Sequence, residues 1–448
     1  MDGLLLTARD IKSLNDKGSF PTAVSSKILR ASAILNKNSS HIINKDDYDN
    51  IYATSDIHAD LKKLHYLLTK AGLIKQNKLV TVPDIMAGVA EGGLINWGPK
   101  KTLFVIVGDV VDGSRNGNEV DDDLGNIEVL LHVYLYNLRI KARALGSEIR
   151  FTIGNHDWHT VIKPYDAKED NLFTSYVHKQ AKNFFGTQQS AKDIYTNRRD
   201  WLLPFYNCCP YLFLNVDSEV AFIHGGLHLN NGAYAIEDIA EFQNNINSSK
   251  NFDIAISGDC KRSFLSAEWG PLWTRFYAEQ PAATVCATIE NSKDYKMIIV
   301  GHCQTDPGYF RHYDEILQEP EYSSCKCGGL VLLGCRDNSK APRLAFVDIG
   351  MSCCFRNDRE WFSETGRRAE FLHLQHDPKK SVANRWYNVV KREVISGLPL
   401  SEDNTIVAWS DAATTVRKTG GGTSHKKRAK VKRTHRRCRG VNKNKTNN

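Results

Sequence analysis

The chain has 448 residues and a mass of 50.5 kDa, enough for one large α/β domain with insertions or for two domains. Hydrophobic residues make up 41% and charged residues 25%, a globular composition that excludes wholesale disorder. The net charge of +8 is unevenly placed: residues 417–448 hold 13 of the 59 Lys and Arg and none of the 51 acids, so residues 1–416 keep 46 bases against 51 acids, about −5.

The longest apolar runs are short: LFVIV at 103–107, MIIV at 297–300 and LVLL at 330–333. A membrane helix needs about 20 such residues. The opening MDGLLLTARD has an acid where a signal peptide carries a basic stretch. The expectation is an intracellular protein, cytoplasmic or nuclear, neither secreted nor membrane-bound. An odd count of 11 cysteines predicts reduced thiols rather than a disulfide framework. No two CxxC pairs stand at zinc-ribbon spacing.

Residues 1–49 are a polar lead-in with a helix-like stretch at 25–35. NIYATSDIH then reads as a strand. ADLKKLHYLLTKAGL reads as a helix, with Leu61, Leu64, Leu68 and Ala71 along one face. KTLFVIVGD (101–109) is a strand apolar on both faces. Residues 127–146 form a helix stopped by Gly146. EIRFTIGNHD (148–157), EVAFIHGG (219–226) and YKMIIVGH (295–302) are further strands, each closing on polar residues, and GGLVLLGC and LAFVDIGM follow as a hairpin-like pair. Stretches 74–99 and 158–218 are longer than ordinary connections and read as insertions. Alternating strands and helices predict an α/β layered fold. In such folds the ligand site lies outside the carboxyl ends of the strands, and there all five polar clusters fall.

These clusters offer Asp56 and His58, Asp109 and Asp112, Asn155, His156 and Asp157, His224, and His302. Carboxylates, imidazoles and one amide, without thiols, suit divalent first-row metals. There are more ligands than one ion uses. Two ions bridged by a carboxylate is the arrangement of phosphoester hydrolases.

In this order, DIHAD, GDVVDG, GNHD, HGG and GH resemble the calcineurin-like metallophosphoesterases, and within them the Ser/Thr-type phosphoprotein phosphatases. GPLWTRFY (270–277) and VDIGMS (347–352) resemble the bacterial-type, Shewanella-like branch. The resemblance covers roughly residues 50–355. It implies a two-layered central β-sandwich flanked by helices and a catalytic domain over 50–355. An extension of that domain over 356–416 and a disordered basic tail over 417–448 would follow. The implied chemistry is attack on a phosphomonoester by a metal-bridging hydroxide, with two divalent ions of manganese, iron or zinc. Asp56 and His58 would hold the first ion, Asp109 would bridge, and Asn155, His224 and His302 would complete the second. His156 would be the general acid, oriented by Asp112 or, as second candidate, Asp157, which stands where many relatives have Glu. Arg275 would clamp phosphate through its guanidinium fork.

Three departures stand out. The family's second motif ends in Asp-Arg-Gly; here it reads Asp112-Gly113-Ser114-Arg115, so either Arg115 takes over that phosphate contact or the contact is missing. Ala59 replaces the usual Gly of the first motif. Cys303-Gln304 follows the final GH, so the additional His of nuclease-like relatives is absent. The expected substrate is a phosphorylated protein or a small phosphoester. The alternatives are a nucleotide or dinucleoside polyphosphate, or a non-catalytic, nucleic-acid-associated protein on a phosphatase fold. KKRAKVKR (426–433), behind the linker TGGGTS, suits nuclear localisation or phosphate-backbone binding. It has no aromatic residue for base stacking.

Overall fold

The computed structural model describes residues 2–7, 9–10, 22–36, 42–44, 47–75, 96–115, 118–119, 124–158, 211–215, 220–226, 270–280, 282–290, 297–303, 331–334, 342–348, 371–375 and 388–389. The expectations for residues 158–210 (apart from Trp158), 356–370 and 390–448 lie outside them.

In chain order the elements are α1 (Thr22–Asn36), β1 (Ile42–Asn44), β2 (Asn50–Thr54), α2 (Leu61–Lys70), β3 (Thr102–Val107), α3 (Leu124–Ala144), β4 (Glu148–Thr152), β5 (Tyr211–Asn215), β6 (Val220–Ile223), α4 (Phe276–Glu279), α5 (Ala282–Glu290), β7 (Met297–Val300), β8 (Val331–Gly334), β9 (Pro342–Phe346), β10 (Leu372–Gln375) and β11 (Asn388–Val389). Ile74–Lys75 with Asn96–Trp97, and Ser114–Arg115 with Asn118–Glu119, add two small antiparallel ribbons.

The strands make two sheets that form the two layers of a sandwich. A five-stranded sheet runs β11-β10-β2-β3-β4, with β2, β3 and β4 parallel. A six-stranded sheet runs β1-β5-β6-β7-β9-β8, with β6, β7 and β9 parallel. All six residues of β3 are buried, as expected for a central parallel strand covered on both faces. One apolar cluster joins Ala53, Leu103 and Val105 of one layer to Phe222, Ile298 and Ile299 of the other.

The helices follow their local chemistry. The Asp60 side chain caps α2 by accepting from Lys63 N at 2.9 Å. Gly72, at φ +70°, ends it, and Leu73 N–H returns to Leu68 O. α3 begins three residues before the predicted Ile127 and stops ahead of Gly146, also at φ +70°. Every residue from Leu131 to Ile140 on α3 is buried, because the helix packs on β4 on one side and on α1 on the other. α1 turns Val24, Ile28, Ala31 and Leu35 inward. Ahead of it, Leu5 and Leu6 join the core, and Asn137 of α3 bonds both backbone groups of Leu6, accepting at 2.8 Å and donating at 2.9 Å.

Three features of the sheets were not read from sequence. β1, β5 and β10 lie in the lead-in, the 158–218 stretch and the 356–416 stretch; β5 pairs with core strand β6 and β10 with core strand β2, and β1 adds to the outer side of β5. They are three to five residues long, as the recognised strands β6 and β7 are, but none of them closes on a donor cluster. The predicted pair near 330–351 is present as antiparallel β8 and β9.

Candidate metal centre

Five loops carry the site, and each follows a parallel strand: β2, β3 and β4 in one sheet, β6 and β7 in the other. Their convergence needs backbone conformations that side chains resist. Among the described residues, seven non-glycines have positive φ, and six of them lie here: Asp56, His58, Ala59, Asp109, Asp112 and His302. Strain on this scale is typical of sites held by their surroundings. The close approach falls on glycine. A Cβ on Gly301 would land on Ser55 Oγ and 2.7 Å from Asp56 Oδ2; one on Gly108 would strike the His224 ring.

The buried carboxylate of Asp109 is the hub. Its Oδ1 accepts from His156 N–H at 2.9 Å. Its Oδ2 faces three imidazole Nε2 atoms: His224 at 3.4 Å, His58 at 3.7 Å and His156 at 3.8 Å. Each of these rings is fixed from behind through Nδ1. His58 Nδ1–H points at the carbonyls of Val111 (3.2 Å) and Asp112 (3.1 Å), His224 donates to Val107 O at 2.8 Å, and His156 donates to Asp112 Oδ2 at 2.6 Å. Such backing sets the tautomer and leaves Nε2 aimed at a ligand.

Asp56 is divided in the same way. Oδ2 accepts from His302 N–H at 3.1 Å and contacts Ser55 Oγ, while Oδ1 lies 3.7 Å from His58 Nε2. Asn155 Oδ1 reaches His224 Nε2 at 2.9 Å, and His302 Nε2 donates to Trp273 O at 3.1 Å. Arg275 is half-buried beside the cluster, with its guanidinium 3.4 Å from His302 O. Asp157 takes a different place. Its Oδ1 accepts from Val110 N (3.0 Å) and Val111 N (3.3 Å), and its Oδ2 from Gly154 N (2.9 Å). It staples two loops together, whereas Asp112 lies on the His156 ring. The backbone of Arg115 belongs to the short ribbon after Gly113; the expected phosphate contact of its side chain lies outside what is described.

Charge explains why this cluster calls for cations. Burial alone would neutralise its acids. Burial, then the Asp109 charge, pushes Asp157 up to about 7. Burial likewise pushes Asp56 up to about 6. Asp109 is held well below the usual range despite its burial, by His224, His156 and His58. His224, against its own burial, is pushed up to about 10 by Asp109. Both its nitrogens face oxygen atoms, Val107 O and Asn155 Oδ1. His302 is held well below the usual range by burial, His224 and Arg275, which favours the neutral imidazole. Two sets, His58–Asp109–His156 and Asp109–His224–His302, bring their ligand atoms within 4.8 Å of one another, with Asp109 common to both. A divalent ion would displace the His224 proton and supply its charge.

The model of the calcineurin-like phosphoesterase family matches residues 50–304. The chain belongs to this family. A calcineurin-like phosphoesterase is a metal-dependent hydrolase, and the matched stretch contains every carboxylate, amide and imidazole described above. No curated protein matches the sequence. Among solved structures, a cold-active protein-tyrosine phosphatase of a psychrophilic Shewanella is 18% identical, over 78% of this chain and 81% of that one, with a TM-score of 0.43. A protein serine/threonine phosphatase of Saccharomyces cerevisiae is 13% identical, over 88% and 96%, with a TM-score of 0.45. Likenesses this distant carry no argument about substrate.

Sequence reasoning missed the groups that hold the ligands. They are the carbonyls of Val107, Val111 and Trp273 and the hydroxyl of Ser55. A carbonyl leaves no mark in sequence. Ser55 could have been noticed only as the polar residue directly ahead of Asp56.

Proposed function

We propose that the chain is a two-metal phosphomonoesterase acting on phosphorylated protein. The observation that carries this reading is the His156–Asp112 pair, 2.6 Å apart, with His156 Nε2 turned to Asp109. The alkoxide of a serine or threonine is a poor leaving group and needs a proton as the P–O bond breaks. A polyphosphate leaves with far less help. A buried imidazole backed by a carboxylate is suited to the first task.

In this reading Asp56, His58 and Asp109 would hold one ion, and Asp109, Asn155, His224 and His302 the other. Two such ions would supply an activated water and neutralise phosphoryl charge. The chain's own residues do the rest. Asp109 stays oriented because His156 N–H fixes Oδ1. Arg275, tethered to His302 O, offers a guanidinium to a phosphoryl oxygen. His156 passes its Nε2 proton to the leaving oxygen, and Asp112 stabilises the imidazolium before that transfer.

The test is a panel of phosphoserine, phosphothreonine and phosphotyrosine peptides, p-nitrophenyl phosphate and diadenosine polyphosphates, with and without manganese, iron or zinc. Metal-dependent turnover of the peptides above all others supports the reading. Preference for the polyphosphates assigns a nucleotide hydrolase. No turnover with any metal assigns a non-catalytic role.

The tail supports a second binding activity. Thirteen bases and no acids in residues 417–448 can neutralise nucleic-acid phosphates and release counterions. Binding to duplex DNA or RNA should weaken steeply with salt and vanish when 417–448 is deleted. Salt-independent binding, or binding retained without the tail, would end that proposal.

A further inference from the structure

We propose that Ser55 is a positioning residue for metal binding, which braces Asp56 at the seam between the two sheets. The proposal rests on the metal-site reading above and adds a residue outside its ligand set.

Ser55 is the last residue before the Asp56 loop and is buried. Its hydroxyl contacts Asp56 Oδ2 and lies 2.6 Å from Val107 O, the end of the neighbouring strand β3. On the other side stands β7 of the opposite sheet: a Cβ on Gly301 would fall on Ser55 Oγ and 2.8 Å from Val107 O. The next residue, His302, sends its N–H to the same Asp56 oxygen, at 3.1 Å. The hydroxyl thus sits where β2, β3 and the β7 loop meet.

The consequence is directional. Asp56 sits at φ +53°, a conformation that its own preferences do not hold. The one hydroxyl proton of Ser55 is shared between Asp56 Oδ2 and Val107 O; with His302 N–H on the same Oδ2, rotation of the carboxylate is restrained and Oδ1 stays toward His58 Nε2 at 3.7 Å. Asp112 does the same for His156 and Val107 O for His224. Backing groups of this kind change metal affinity by roughly 10–100-fold when removed. Thr54, one residue earlier, supplies a control: its hydroxyl is buried with no hydrogen-bond partner among the described residues, so removing it should disturb packing alone.

The experiment titrates the metal-free full-length protein with Mn²⁺ by calorimetry, beside its melting temperature, for Ser55→Ala, Thr54→Val and Asp109→Asn. Ser55→Ala should weaken one of the two ions by about 10–100-fold, and saturating Mn²⁺ should restore its turnover. Thr54→Val should bind both ions as the wild type does. Should Ser55→Ala not fold, Ser55→Cys, close to it in size, carries the same test. Wild-type Mn²⁺ affinity in the Ser55 variant, with or without a lower melting temperature, overturns the proposal. So does an equal loss in Thr54→Val. Asp109→Asn separates the two readings. If it binds two ions normally, the metal-site reading fails. If it loses them while the Ser55 variant does not, Ser55 alone is removed.

Discussion

The two sheets bring opposite things to the seam between them. The loops of β2, β3 and β4 carry Asp56, Asp109, Asp112 and Asp157 and five of the six strained non-glycine residues of the site. The loops of β6 and β7 carry His224 and His302 and, at the described positions 224–226 and 301–303, no carboxylate, and the Arg275 segment is joined to that side through Gly225 N–H and Pro271 O at 2.7 Å. One sheet supplies the carboxylates, with His58 and His156, in a strained backbone. The other supplies His224, His302 and the Arg275 guanidinium on a more relaxed one. Asp109 faces across the gap, 3.4 Å from His224. The site is therefore a property of the seam, and neither sheet holds it alone.

The largest test of that contrast is Asp109→Asn, the one change that touches both halves. Turnover should be abolished, and metal analysis should find fewer than two ions per chain. Two ions and near-normal rates would mean the halves are independent.

Next come changes confined to the acidic sheet. His156→Ala should keep both ions and lose roughly 10²–10⁴-fold in rate on a phosphoserine peptide. Asp112→Asn should fall in the same direction. Both losses should shrink on p-nitrophenyl phosphate, whose leaving group needs little protonation. Equal losses on the two substrates would remove the acid role.

The opposite side is probed by Arg275→Ala. It removes charge-assisted hydrogen bonds worth about 1.5–3 kcal/mol, so the inhibition constant of inorganic phosphate should rise about 10- to 100-fold. Arg115→Ala is the paired measurement. An unchanged constant there would place the phosphate grip wholly on the Arg275 side, and a matching rise would divide it between the sheets.

The smallest effect concerns strain. Ala59, at φ +58°, stands where the related motif carries Gly. The left-handed conformation costs a non-glycine about 1–2 kcal/mol, and glycine's freer unfolded chain takes back part of the gain. Ala59→Gly should stabilise the protein by about 0.5–1 kcal/mol in denaturant unfolding. A destabilised variant would show that the Ala59 methyl contributes more to the core than its backbone costs.

What could be read in sequence follows from what each residue has to do. Strand β3 was legible because a strand buried on both faces must be apolar throughout. The five converging loops were legible because polar donor side chains stand at the ends of apolar strands. β5 and β10, no shorter than β6 and β7, were not, since they close on none of the donor clusters that marked the other strands. The two acids beside His156 show the limit within the site. Asp112 and Asp157 are alike on paper, and only the fold tells which one lies on the imidazole and which on three backbone N–H groups.

Asn137 has a consequence for where the protein can be cut. Its side-chain amide imitates a strand neighbour, taking Leu6 N–H and giving back to Leu6 O from the middle of α3. A truncation begun at residue 50, where the phosphoesterase family match starts, would strip both partners from that buried amide, each loss costing about 1–3 kcal/mol. It would also bare the face of α3 that Leu5, Leu6 and α1 cover. An expression boundary for the catalytic unit belongs ahead of Leu5, far from the motifs that define the enzyme.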